Sequence, residues 1–134
     1  MDWSRIIDNV VKALNKYRAS GYVECNGAQD SIYEQIKNKV SYNKSSVQPF
    51  ITTVKTKPVI IEDMIVNFED KNIGIMGYDW QVAELEVFTY EYNVKTRNVK
   101  YSAPIGLHDD YVMSRAICNH AFRTLKTTGI YSII

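Results

Sequence analysis

Glycine-rich loops are missing from this sequence. Gly27, Gly74, Gly77 and Gly106 stand apart, and no GxxxxGK[ST] pattern occurs, which excludes a P-loop for ATP. The three prolines form no Pro/Gly-rich tract, so no linker divides the chain and one domain over 1–134 is expected. The two cysteines, Cys25 and Cys118, are far apart and belong to no CxxC or Cys/His cluster. That excludes a zinc site of ordinary spacing and predicts two reduced thiols in a cytoplasmic setting. No apolar run approaches the roughly 18 residues of a membrane helix, and MDWSRIIDNVVKAL lacks the basic start and continuous apolar core of a signal peptide. An excess of charge is also lacking. Sixteen Lys and Arg face fifteen Asp and Glu, for a net +1. A polybasic arm is thereby excluded, whereas a local basic patch that meets phosphates is not.

What is present is an ordinary globular composition, 46% hydrophobic and 23% charged, enough for a packed core. Trp3, Ile6, Ile7, Val10, Val11 and Leu14 recur at helical spacing and predict a helix over 2–17, capped by Asp2 or Ser4 and closed by Ser20-Gly21. Tyr22-Val23-Glu24 reads as a short buried strand ended by the turn signal Asn26-Gly27. A helix over 28–39, a polar loop at 43–46 and a strand over 49–53 follow. A third helix over 57–69 has Pro58 in its first turn and an apolar face of Ile60, Ile61, Met64, Ile65 and Phe68. Ile73-Gly74-Ile75 reads as extended and 79–87 as helical. Residues 87–101 alternate as a hairpin does, with Phe88, Tyr90 and Tyr92 on one face. The last helix is expected from about His108 to Leu125. Strands separated by helices predict an α/β fold with parallel pairing.

Two acidic positions are well placed for chemistry. Glu24 ends a strand, and the carboxyl ends of strands are where α/β sheets bind ligands. Asp109 and Asp110 open a helix after an extended run. Carboxylates from separate elements can hold magnesium or manganese through oxygen. The same residues also suit plainer roles: an Asp at a helix start is a cap, and a Glu at a strand end is solvated. His108 suits ligand orientation or capping, and His120 reads as structural. Lys55 and Lys57 in TTVKTKP suit a phosphate or solvent. The hairpin aromatics read as a packing face before a base-stacking platform. Cys25 alternates with Glu24 and so points inward, unsuited to nucleophilic work.

Four stretches, YVECNGAQDSIYEQI, PFITTVKTK, VAELEVFTYE and VKYSAPIGLHDDYVMSRAICNHA, taken in this order, make nearly the whole chain resemble the C-terminal nuclease domain of phage terminase large subunits. The run Tyr-Ser-Ala-Pro, Gly, His-Asp-Asp and an apolar helix is the most specific; Cys25 departs from the Ser more frequent in that family. The resemblance implies an RNase H-like mixed sheet flanked by helices. It implies a two-metal endonuclease, using Mg or Mn, that cuts concatemeric double-stranded DNA during genome packaging. Glu24 and Asp110, or Asp109, are then catalytic metal ligands, and His108, Lys55, Lys57 and Asn26 contact DNA or orient the site. Implied partners are double-stranded DNA and, for the intact protein, the portal and the small terminase subunit. The implied location is the host bacterial cytoplasm, with no membrane. The family's first acid lies on a strand upstream of the helix with which this chain begins. The expectation is therefore an N-terminally incomplete domain, lacking the motor ATPase, with its activity alone left open, whose exposed edge at Tyr22–Glu24 is covered by dimerisation, strand exchange or local rearrangement. A non-catalytic DNA- or portal-binding module and another RNase H-like nuclease, such as a junction resolvase, stay open as alternatives.

Overall fold

A computed structural model describes residues 2–27 and 29–125, without the side chains of Thr89, Glu91, Tyr92 and Asn98. The chain forms two compact units. One holds the residues up to Thr52 together with those from Ala121 onward; the other is Thr53–His120.

The first unit begins with α1 (Trp3–Tyr17). Asp2 is its N-cap, its Oδ1 accepting from the Arg5 N–H at 3.2 Å. Ile7 and Val11, one turn apart, are buried. The helix closes at Arg18, in the left-handed region at φ 46°, ahead of the Ser20-Gly21 stop expected from sequence. Gly21 instead opens β1 (Gly21–Glu24). The second helix, α2 (Asp30–Lys39), buries Tyr33 and Ile36; Ala28, its expected first residue, lies outside the described residues. Lys44 donates its ammonium to the carbonyls of Lys37, Asn38 and Val40 at the end of α2, where the helix dipole favours a cation. The expected loop 43–46 is a single 3-10 turn, Lys44–Ser46, capped by Asn43.

The strand expected over 49–53 lies earlier, as β2 (Val47–Phe50), and pairs in parallel with β1 from Gly21↔Val47 to Glu24↔Phe50. Burial sets this register: Val47 and Phe50 are buried, while Thr52 and Thr53 serve hydrogen bonds described below. The core of this unit is Ile7, Val11, Cys25, Tyr33, Ile36, Val40 and Val47, with Leu14, Val23, Ile32 and Tyr42 packed against it. Burying one aliphatic such as Ile7 stabilises by about 1.5–3 kcal/mol.

In the second unit Thr53 and Thr56 hydrogen-bond reciprocally at the start of α3 (Thr56–Glu69), whose N-cap is Lys55. Thr53 Oγ1 accepts from the Thr56 N–H at 3.0 Å, and Thr56 Oγ1 accepts from the Thr53 N–H at 2.8 Å, an arrangement of capping-box type. Ile60, Ile61 and Met64 are buried, but Ile65, expected inside, is exposed. Ile73-Gly74-Ile75 forms no strand. The Gly74 carbonyl accepts from the Arg115 guanidinium instead of a ladder partner. Then come α4 (Asp79–Val87) and an antiparallel hairpin, β3 (Thr89–Asn93) and β4 (Asn98–Ser102). Asn93 Oδ1 shapes the turn by accepting from the N–H groups of Lys95 and Thr96. Phe88 and Tyr90 both lie against Tyr101, with centroids 6.2 and 6.1 Å away, so the expected aromatic face exists; Tyr92's place on it lies outside the described side chains. The last helix, α5 (Asp110–Thr124), buries Val112, Met113, Ala116 and Ile117.

The chain is thus mixed α/β, as expected. Among the described residues its four strands make two separate two-stranded sheets rather than one mixed sheet. The hairpin bonds within itself and is tied to α3 by Tyr101, whose hydroxyl donates to Glu62 Oε1 at 3.2 Å.

Candidate functional site

Glu24 ends β1 with its side chain in solvent, while the next residue, Cys25, is 3% exposed. The alternation of extended backbone sends them to opposite sides. The Glu24 carboxylate is held. Its Oε1 accepts from Asn26 Nδ2 at 3.1 Å and from the Thr52 hydroxyl. Asn26 Oδ1 in turn accepts from the Thr52 N–H at 3.1 Å. Asn26 therefore bridges the residues that follow two parallel strands, and both donors to Glu24 meet one oxygen, which leaves Oε2 to other use. Gly27, at φ 88°, supplies the turn behind Asn26. Burial, with Asp30, Glu24 and Glu34 adding negative charge, pushes the Cys25 thiol up from its ordinary value, the reverse of what a nucleophile requires.

In the second unit the acidic pair divides its roles. Asp109 precedes α5, and its carbonyl accepts from the Met113 N–H at 2.9 Å, the first helical bond. Its Oδ2 lies 3.2 Å from Lys57 Nζ, with the two side chains 30% and 23% exposed. The ion pair is partly shielded, and Lys57 also lies 5.8 Å from the Phe88 ring centre. Asp110 is the first residue of the helix and is exposed.

The capping of α5 comes from elsewhere. Glu84 on α4 accepts from the Val112 N–H at 2.9 Å, which satisfies one of the helix's unpaired donors. Trp80, one turn before Glu84 on α4, packs edge-on against Tyr111 at 5.2 Å. Lys57 and α4 thus hold the start of α5 at adjacent residues. His108 and Lys55 are exposed, and the Lys55 N–H donates to Thr53 Oγ1 at 3.2 Å.

Sequence reasoning missed Thr52 and Glu84. Thr52 sits in a polar run that reads as strand end, and Glu84 is one acid among several on a short helix, so neither carries a local signal. The donors at hand are carboxylate oxygens, which suit a hard divalent cation. Among the described residues no group of three or more His, Cys, Asp or Glu stands together as a metal site. Among those residues, too, no helix is long and apolar enough to cross a membrane.

The sequence matches no protein-family profile and no curated protein. Its fold is similar to that of the large terminase nuclease from thermophilic phage G20c, a crystal structure, with a TM-score of 0.68 and 20% identity. The likeness covers 90% of this chain and 62% of that one. At this identity it is a likeness of fold, and the chain spans less than two thirds of the length of that nuclease.

Proposed function

We propose that the chain is a nuclease part of a terminase large subunit, of RNase H-like type, that cleaves double-stranded DNA during genome packaging with Mg or Mn in the host bacterial cytoplasm. Portal and small terminase subunit are the partners proposed for the intact protein. The observation that carries the reading is the hydrogen-bonded fixing of Glu24 at the carboxyl end of a parallel strand, in a chain with a terminase-nuclease fold. Glu24 is one proposed metal ligand. Asp110 is preferred to Asp109 for the other, because Asp109 already neutralises Lys57. When bound, divalent ions supply an activated water and charge stabilisation of the leaving oxygen. Lys55, Lys57, His108 and Asn26 are the proposed DNA-contacting or orienting residues. Of these Lys57 and Asn26 already engage a carboxylate, which favours the orienting role for them.

A second reading, a DNA- or portal-binding module without cleavage, is favoured by one observation: no described cluster of three ligating side chains exists. A plasmid-nicking assay with manganese separates the two. The nuclease reading expects nicking that Glu24→Ala and Asp110→Ala each abolish. DNA retention without nicking by the wild type would replace it with the module.

A further inference from the structure

We infer that Thr52 is a positioning residue for Glu24, acting with Asn26 to lock one carboxylate oxygen and present the other to a divalent cation; the inference rests on the proposed ligand role of Glu24. A glutamate at a strand end has three rotatable side-chain bonds and ordinarily samples many rotamers, so ordering it costs entropy when a ligand binds. Here the cost is met in advance. The Thr52 hydroxyl and the Asn26 amide both donate to Oε1, and Asn26 Oδ1 takes the Thr52 N–H, so a closed ring of three hydrogen bonds joins the three residues. Hydrogen bonds to an ionised acceptor are the stronger kind. Each donor also enforces the other's geometry, because Thr52 uses its N–H and its O–H toward the same pair of side chains. The pairing of β1 with β2 brings residues 28 positions apart into this ring, and Cys25 N–H, donating to the Phe50 carbonyl at 2.8 Å, extends the ladder to its base. Partners that orient a ligating carboxylate typically change metal affinity by about 10- to 100-fold when removed.

Thr52→Val keeps the volume and β-branching but removes the hydroxyl, and Thr52→Ser restores it. With the full chain and Mn2+ as the probe, calorimetry is expected to show affinity weakened about tenfold in Thr52→Val and held near the wild-type value in Thr52→Ser, with all three melting alike. Side-chain coupling constants of Glu24 supply a reading without metal: one rotamer in wild type and Thr52→Ser, averaged rotamers in Thr52→Val. Averaged couplings in the wild type overturn the inference. So does Mn2+ affinity lost in Glu24→Ala but kept in Thr52→Val, which leaves the ligand role standing. No Mn2+ binding by the wild type, or binding unmoved by Glu24→Ala, overturns the ligand role and the positioning role with it.

Discussion

Glu24 and Cys25 are adjacent, and the pleat alone assigns them opposite fates. The carboxylate reaches solvent and gathers two donors, while the thiol enters the core of its unit, its Sγ donating to the Val23 carbonyl at 3.4 Å. Cys118, the other free thiol, is exposed. A thiol reacts as thiolate, and burial and neighbouring carboxylates push Cys25 up. Ellman's reagent at pH 8 is therefore expected to consume one thiol rapidly in the native protein and the second only on unfolding. Cys118→Ser should remove the rapid phase, and a rapid phase surviving in that variant would contradict the burial of Cys25. A thiol raised in the folded state stabilises fully below its unfolded value, and that contribution is lost as pH rises through the folded one.

At the scale of elements, α5 shows where capping logic read from sequence stops. An Asp-Asp helix start predicts self-capping, yet Asp109 is turned to Lys57 and the Val112 N–H is met by Glu84 from another helix. Glu84→Ala should cost about 1 kcal/mol, read by urea denaturation, and should speed hydrogen exchange at Val112. Glu84→Gln keeps an acceptor and should recover part of the loss. The hairpin carries a second test. Burial, then the charge and hydrogen bond of Glu62, raise the Tyr101 phenol above its ordinary value of 10.0. Its contribution is present below the unfolded value and is lost as pH rises through the folded one. The stability difference between wild type and Tyr101→Phe should accordingly shrink above about pH 10; a constant difference would place the phenol in an ordinary environment.

These elements also show what was legible in advance. Helices α1 and α3 follow from apolar spacing, and the hairpin follows from alternation and its polar turn, because each is fixed by local sequence. The strand after Ser46 begins two residues before the expected 49–53, because VQPFITT has apolar residues at its start, Val47, and in its middle, Phe50 and Ile51. Only the packing of Val47 and Phe50 decides which stretch pairs with β1. Ile73-Gly74-Ile75 has strand composition, but its Gly74 carbonyl is taken by Arg115 from 41 residues away. Glu24, at a strand end, and Asp109 and Asp110, at a helix start, stand out as candidates by position in the chain. The partners that restrain Glu24 and α5, Thr52 and Glu84, are contributed by distant segments and were not.

For the whole molecule, the first unit pairs only two strands among the described residues, fewer than a sheet ordinarily needs to stand without further cover. The helix packed beside it, α1, buries Ile7 and Val11 yet exposes Trp3, Ile6, Val10 and Tyr17, which recur at i, i+3, i+7 and i+14 on one stripe. A net charge of +1 provides little repulsion between copies. A homodimer, one of the covers expected from sequence, is thus proposed to bury apolar surface as well as strand edge, with α1 contributing to the contact. Sedimentation equilibrium is expected to show concentration-dependent association. The double change Ile6→Lys and Val10→Lys should shift it toward monomer by placing like charges on the stripe, without touching the buried Ile7 and Val11. A wild type that stays monomeric up to the highest soluble concentration would remove the dimer. It would leave α1 to serve within a longer chain or against a different partner.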